Sequence, residues 1–238
     1  MKKSNWVGFL PFYLLTVIGV IAMAMWGSKT TTTVAQNRPV QRCNTIVIDA
    51  GHGGIDGGAT SCSGVLESKL NLDIALKLEA VMQLLGFDTR MIRTTDISIY
   101  TEGNTIASQK VSDLKERVRI ANETPNAILI SIHQNTFSDD KYSGAQVFYA
   151  NTEQSRELAQ LLQTNFNQDL CEGSNRKIKK ADGVYLMQNV DCTGVLLECG
   201  FISNPQEEAK LRSEEYQKKL CCVIASTVST FAGGENRG

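Results

Sequence analysis

Hydrophobic and polar positions follow two periods along this chain, and each period predicts a different element. Short apolar runs rich in β-branched residues predict buried strands, and apolar residues at every third or fourth position predict helices. The predicted strands cover residues 45–50, 87–92, 127–132, 145–150, 184–187 and 194–197. Strands that alternate with helices favour an α/β fold, a single domain with a twisted, mostly parallel (mixed) sheet and helices on both faces.

The helical period marks the segments between these strands. Apolar residues at helical spacing run from Leu70 to Leu85, and Gly86 can cap the C-terminus of that helix. Further helices are predicted over 111–122 and around 158–166. The last helix is predicted to begin at 203–206, where a capping residue is followed by proline.

The amino-terminal residues 1–27 have the pattern of a membrane signal. Lys2 and Lys3 precede an uncharged stretch that could span a hydrocarbon core of about 30 Å. We interpret it as an uncleaved signal anchor, with a cleaved signal peptide as the alternative. Either one exports the rest: a polar tether at 28–43, a folded domain at 44–233 and a tail at 234–238.

The composition narrows the class of protein. Of 238 residues, 42% are hydrophobic and 21% are charged, which excludes a largely disordered chain and a polytopic membrane protein. The net charge of −1 and the aromatic content of 7% argue against a nucleic-acid partner. The seven cysteines are an odd number without a CxxC pair, and we expect most of them to be buried thiols.

Candidate chemistry lies where predicted strands end. His52 follows the first strand within a glycine-rich turn, His133 follows the strand at 127–132, and Glu198 follows the strand at 194–197. The chain contains only these two histidines. In α/β sheets, binding sites form just beyond the carboxyl ends of strands. The turn lacks the P-loop and dinucleotide patterns, so we interpret it as a close approach of the backbone to a metal site.

Two imidazoles and a carboxylate are the protein donors of many catalytic zinc sites. His52, Glu67 and His133 are the candidate ligands, and Glu198 is the candidate carboxylate that moves protons. Other interpretations stay open. The histidines could be hydrogen-bonded structural residues, Glu67 could favour a helix N-terminus, Cys62 could replace it as ligand, and Glu198 could form a salt bridge.

Three segments resemble those of the bacterial zinc-dependent N-acetylmuramoyl-L-alanine amidases. They are IVIDAGHGGIDGGA at 46–59, SIHQN at 131–135 and LLECGFISNPQE at 196–207. Glu67 stands where that family has its metal-binding glutamate. The resemblance extends over 44–231, and the single domain behind one N-terminal signal is most similar to the spore-cortex (CwlD-type) members.

The resemblance implies one zinc ion per chain, held by His52, Glu67 and His133, with Glu198 as the catalytic glutamate. It implies hydrolysis of the amide bond between N-acetylmuramic acid and L-alanine in peptidoglycan. The enzyme would be anchored or secreted and act on the cell-wall side of the cytoplasmic membrane. The implied role is spore-cortex maturation, through muramic-lactam formation, and germination.

Some features leave alternatives to this function. Gln134 stands where the family commonly has a small residue, and Cys199 where it has Thr or Ser, which bears on substrate fit. A zinc carboxypeptidase that trims stem peptides is one rival, although Ile55 stands where its His-x-x-Glu pattern needs glutamate. A weakly catalytic wall-binding domain and a purely structural anchored domain are the others. The small domain also suggests an activator protein.

Overall fold

The computed structural model describes residues 44–171 and 173–235. The predicted signal segment at 1–27 and the tether at 28–43 therefore lie outside the described residues. Within the described ranges, no helix is both long enough and apolar enough to cross a membrane.

Strands and helices alternate along the described chain. The strands are β1 (Thr45–Ala50), β2 (Asp88–Met91), β3 (Ala127–Asn135), β4 (Gln146–Tyr149), β5 (Lys179–Lys180) and β6 (Thr193–Phe201). The helices are α1 (Glu67–Leu84), α2 (Ile106–Asn122), α3 (Glu153–Asn165), α4 (Tyr185–Asn189), α5 (Pro205–Arg212) and α6 (Glu214–Glu235). A π-helical turn at Phe166–Leu170 continues α3.

The strands form one mixed sheet in the order β2-β1-β3-β6-β4-β5. Strands β2, β1, β3 and β6 are parallel to one another, whereas β4 runs antiparallel to β6 and β5 runs parallel to β4. The predicted mostly parallel sheet is confirmed. Because β1, β3 and β6 point the same way, their carboxyl ends meet at one edge of the sheet.

Alternating side chains of the sheet build a core on each face. Ile46 and Ile48 of β1 pack with residues of α1, α3 and α6, whereas Val47 between them packs with residues of α2 and α4. All three side chains are fully buried. The prediction of helices on both faces is therefore confirmed.

The segment at 184–187 was expected to be a strand, and this expectation is wrong. Tyr185–Asn189 is the short helix α4, which buries Leu186 and Met187 against the sheet. A short apolar run has the same composition in a buried strand and in a buried helix, so periodicity alone cannot separate them.

Several boundaries also differ from the prediction. Helix α2 begins at Ile106 rather than at 111, because Thr105 and Ser108 form a reciprocal capping box at its N-terminus. The predicted last helix is two helices that meet at Ser213. Strand β3 extends beyond its predicted end, and β6 extends at both ends, so that His133 and Glu198 lie inside strands.

The six described cysteines are free thiols. Cys199 and Cys221 are buried, Cys171 and Cys192 are half-buried, and Cys62 and Cys222 are exposed. The expectation of mostly buried thiols therefore holds for only part of the set.

Candidate metal centre

The three candidate ligands come from different elements and meet at the carboxyl edge of the sheet. His52 follows β1, Glu67 is the first residue of α1, and His133 lies near the end of β3. One donor atom from each residue lies within 4.8 Å of the other two. Glu67 Oε1 lies 3.0 Å from His133 Nδ1, and Glu67 Oε2 lies 3.3 Å from His52 Nε2. The fold thus brings His52 and His133, which are 81 positions apart in the sequence, into one cluster with Glu67.

Glycines in the turn after β1 leave room for these donors. A Cβ atom at Gly51 would lie 2.2 Å from His133 Nε2. At Gly58, where φ is +67°, a Cβ atom would lie 2.6 Å from Glu67 Oε2. A side chain at either position would occupy the space beside the donor atoms. The turn therefore approaches the candidate ligands closely, while the metal site itself stays a prediction.

The Glu67 carboxylate is oriented from several sides. Oε2 accepts a hydrogen bond of 3.0 Å from the Ala59 amide, and Oε1 accepts one of 3.1 Å from the Gln134 amide and one of 3.3 Å from Asn71 Nδ2. Burial alone would raise the pKa of Glu67, but His133 and His52 outweigh it and hold this pKa well below its usual range. Glu67 is thus an ionised oxygen donor.

His52 is held by a second carboxylate. Its Nδ1 lies 2.9 Å from Asp56 Oδ2, and Lys110 Nζ lies 2.8 Å from Asp56 Oδ1. Burial alone would lower the pKa of His52, but Glu67 and Asp56 together raise it to about 9. A metal must therefore displace a proton at neutral pH. A carboxylate behind the imidazole is the usual arrangement that orients a metal-binding histidine.

Two buried arginines hold the backbone from which His52 projects. Arg93 donates to the Ala50 carbonyl (2.7 Å) and to the Gly51 carbonyl (3.0 Å). Arg117 donates to the Ala50 carbonyl (3.1 Å) and to the His52 carbonyl (2.8 Å). Cationic donors form stronger hydrogen bonds than neutral ones, so the carbonyls at 50–52 are fixed from two directions. These contacts offset the left-handed backbone of His52, whose φ is 59°.

Arg117 also forms ion pairs with Asp49 and Asp113. The sequence pattern predicts a helix over 111–122 but identifies neither this role of Arg117 nor that of Arg93. One signal was available: Asp49 ends an apolar strand, and a buried carboxylate requires a charged or hydrogen-bonding partner. Nothing in the local pattern identifies which cation supplies it.

Glu198 lies beside the candidate ligands on the neighbouring strand. It is paired in register with His133. Its Oε2 atom is buried and has no hydrogen-bond partner within the described residues. Burial raises the pKa of Glu198 to about 7, with a smaller contribution from Glu67 and an opposing one from His133. A buried carboxylate with this pKa can hold or release a proton near neutral pH.

The two histidines and Glu198 line one cavity of about 330 Å³, which we call the metal-side cavity. Its polar wall includes His52, Asp56, Arg117, His133 and Glu198. The donor set of two imidazoles and one carboxylate, with glycines leaving space around it, fits a catalytic zinc ion.

Cys62, considered as a replacement ligand for Glu67, is exposed and is not part of the cluster of potential donors among the described residues.

Comparison with known proteins places these features in one family. Residues 46–230 match the family described as N-acetylmuramoyl-L-alanine amidase. The chain is 37% identical over 225 residues to the germination-specific N-acetylmuramoyl-L-alanine amidase of Bacillus subtilis strain 168, which covers 94% of this chain and 92% of that protein. It is 30% identical over 191 residues to the amidase LytC of the same organism, covering 79% of this chain and 35% of LytC.

Solved structures give the same result. The CwlD amidase of Clostridioides difficile, determined in complex with the GerS lipoprotein, superimposes with a TM-score of 0.75 at 36% identity over 79% of this chain and 98% of that chain. An N-acetylmuramoyl-L-alanine amidase of Clostridium difficile 630 gives a TM-score of 0.70 at 29% identity, covering 81% of this chain and 98% of that one.

Proposed function

Because this chain belongs to the N-acetylmuramoyl-L-alanine amidase family and hydrolyses the bond between N-acetylmuramic acid and L-alanine, we propose that it does so with one zinc ion held by His52, Glu67 and His133. The observation that carries this proposal is the convergence of the three donor atoms within 4.8 Å of one another. The space beside them, which a Cβ atom at Gly51 would fill, supports it further.

A zinc ion at this position would supply Lewis-acid activation of water and of the amide carbonyl. The chain itself supplies the proton transfers. Glu198 accepts the proton of the attacking water and then donates it to the leaving nitrogen of L-alanine. Its pKa of about 7 and its unpartnered Oε2 atom suit both steps. Asp56 keeps the His52 imidazole in place, and the two arginines keep its backbone in place.

We place the enzyme on the cell-wall side of the membrane, in spore-cortex maturation and germination. The name of the Bacillus subtilis relative supports a role in germination. The substrate, peptidoglycan, lies outside the cytoplasmic membrane, so export by residues 1–27 and a tether at 28–43 suit the site of action. The catalytic domain would then cover 44–233, followed by the tail at 234–238.

An activating partner is also part of the proposal. The CwlD amidase whose fold this chain shares was determined in complex with a lipoprotein. A partner of that kind could bring a small catalytic domain to the wall and order its metal site.

Mass spectrometry of peptidoglycan treated with the full-length, zinc-loaded protein tests the reaction. Free stem peptides that begin with L-alanine are expected, together with muramic acid that has lost its stem. Stems shortened at their C-termini would instead support the carboxypeptidase alternative. A zinc-loaded protein that releases nothing, even with a lipoprotein partner, would contradict the proposed function.

Metal analysis tests the ligand set. His133→Ala is expected to lose bound zinc, because two donors remain where a catalytic site has three. Cys62→Ala is the matched control, since it removes a potential zinc ligand outside the cluster and should leave the zinc content unchanged. Full zinc occupancy in His133→Ala would remove His133 from the ligand set.

A further inference from the structure

A second cavity lies next to the metal-side cavity on the same face of the sheet. Gln146 of β4 is paired with Glu198 of β6, and Phe148 is paired with Leu196. Side chains directly opposite each other in an antiparallel pair share a face, with Cβ atoms about 5 Å apart. Glu198 and Leu196 line the metal-side cavity, whereas Gln146 and Phe148 line the second one. Strand β6 therefore connects the two cavities.

We call this second space, of about 230 Å³, the basic cavity. Its wall includes Gln146, Phe148, Arg176, Lys179 and Phe201. No Asp or Glu is among the described residues that line it. The two cations lie on the far side of β4 from Glu198, because Lys179 is paired with Phe148 on β5 and Arg176 Nη1 donates to Gln146 Oε1 at 3.4 Å.

The two cations are positioned without being neutralised. Arg176 donates to the Ser143 carbonyl at 2.7 Å and 3.0 Å, and its guanidinium carbon lies 5.0 Å from the centre of the Phe201 ring. Lys179 Nζ lies 5.9 Å from the centre of the Phe148 ring. Within the described part of the chain, neither residue forms an ion pair with a carboxylate. Such cations remain available to an anionic ligand.

The substrate divides into a charged and an uncharged half at the bond that is cut. The muramoyl half has its lactyl carboxyl group tied up in the amide, so the glycan carries no carboxylate there. The stem peptide carries the α-carboxylate of its glutamate residue and the carboxylate of its C-terminus. Two cations without anionic partners complement the peptide half, because opposite charges at a binding surface select the partner.

We propose that the basic cavity binds the stem peptide of the substrate through its carboxylates, with Arg176 and Lys179 as the anion-binding residues. This proposal rests on the proposed amidase function. A guanidinium group can bind a carboxylate through two parallel hydrogen bonds, which fixes the direction of the ligand, whereas the lysine adds a point charge. Arg176 is hydrogen-bonded to Gln146, which is the strand neighbour of Glu198, so it lies on the side where a stem glutamate two residues from the cut would extend.

The wild-type, full-length enzyme tests the ligand class directly. Two forms of one probe are compared, a peptidoglycan fragment of two disaccharide units with its stem carboxylates either free or converted to amides. The KM for the free-acid form is expected to be about tenfold lower, because hydrogen bonds to charged groups are stronger than those to neutral ones. The kcat values are expected to agree within about twofold, since the proton transfers do not use these groups. Equal KM values would overturn the proposal.

Variants test the residues. Arg176→Gln and Lys179→Gln are expected to lose most of the preference for the free-acid probe through KM, and Lys177→Gln is the matched control. Lys177 is exposed, and its side chain is not part of the cavity wall. Lys179 is also exposed, so its substitution tests the proposal even if Arg176→Gln folds poorly. Unchanged KM values in both variants would overturn the assignment.

A binding measurement separates this proposal from the proposed function. Calorimetry measures how the released stem peptide, with free or amidated carboxylates, binds to the Glu198→Gln enzyme. Weaker binding of the amidated peptide, and weaker binding of the free-acid peptide after Arg176→Gln is added, would support the basic cavity even if the amidase reaction were not observed. Hydrolysis of both probes with equal KM, together with equal binding of both peptides, would overturn the proposed role of the basic cavity. The proposed amidase function would be unaffected.

Discussion

The metal-side cavity and the basic cavity lie on the two sides of Glu198, and they differ in whether their charged side chains form ion pairs. In the metal-side cavity, Asp56 is paired with His52 and Lys110, and Arg117 is paired with Asp49 and Asp113. In the basic cavity, the described cations contact carbonyl groups and aromatic rings. Paired buried charges build a scaffold, whereas an unpaired cation at a surface remains available to a ligand.

Glu198 differs from both sets, because its buried Oε2 atom has no partner among the residues that are described. A buried polar atom without a partner is costly, and it persists where function requires it. The comparison therefore assigns three roles: scaffold on one side, ligand binding on the other and proton transfer between them. Each role can be tested by one substitution with a distinct readout.

The largest effect is expected for Glu198→Gln. Loss of a general base lowers turnover by about 10²- to 10⁴-fold, while the amide keeps the shape of the side chain. Zinc content and binding of the stem peptide are expected to stay at wild-type values, because Glu198 is neither a proposed zinc ligand nor a proposed anion-binding residue. The rate of stem release by mass spectrometry measures the effect.

Glu157→Gln, which changes an exposed glutamate of α3, is the control for this substitution and should keep wild-type turnover. Near wild-type turnover in Glu198→Gln would instead remove Glu198 from the mechanism.

The next largest effect separates the two arginines. Arg117→Met leaves the buried Asp49 without its cation and should lower the free energy of unfolding by about 3–5 kcal/mol. Arg176→Gln removes a half-exposed cation without an ion pair and should change it by less than about 1 kcal/mol. Urea unfolding of both variants with a chelator present measures the difference, since bound metal would add its own stabilisation. Equal losses of unfolding free energy in the two variants would show that Arg117 and Arg176 do not differ in their structural role.

A smaller effect is expected in the pH dependence of stability. Burial alone would raise the pKa of Asp49, but Arg117, His133 and the Ser131 hydroxyl outweigh it and lower this pKa. The stabilisation is then fully present above the unfolded-state pKa of about 3.9 and is lost as the pH falls below it.

Asp49→Asn should therefore be less stable than wild type at neutral pH, and the difference should narrow in acid. Urea unfolding between about pH 7 and pH 3 tests this expectation. A difference that stays constant over this range would mean that Asp49 is not a stabilising anion in the folded state.

Sequence patterns predicted β1, β2, β3, β4 and β6, but they missed β5 and assigned 184–187 to a strand. They also identified the donors of the candidate centre. The buried run of β1 and the histidine that follows it are local features, and the parallel connection through helices brings strand ends together. Glu67 does not follow a strand; its carboxylate made it a candidate beside the two histidines, and the family pattern then supported it. The comparisons confirm the family, while the roles of His52, Glu67, His133 and Glu198 stay predictions.

The scaffold and the basic cavity could not be predicted in the same way. The ion pair between Arg117 and Asp49 joins residues 68 positions apart, and no local pattern specifies it. Arg176 and Lys179 lie in a segment without clear periodicity, and their shared cavity depends on how β4 pairs with β6. Such contacts are set by tertiary structure, which overrides local preferences.

The smallest effect concerns the helix that carries Arg117. The Thr105 side chain accepts a hydrogen bond from the Ser108 amide at the start of α2, and Thr152 caps α3 in the same way at Ser155. Thr105→Ala and Thr152→Ala should each lower the free energy of unfolding by about 1 kcal/mol. Only Thr105→Ala should speed hydrogen exchange in the first turn of α2, where Gln109 lines the metal-side cavity. Binding of the stem peptide to this variant should stay unchanged. If it weakened that binding, the two cavities would be coupled through α2 and the division between scaffold and ligand-binding sides would fail.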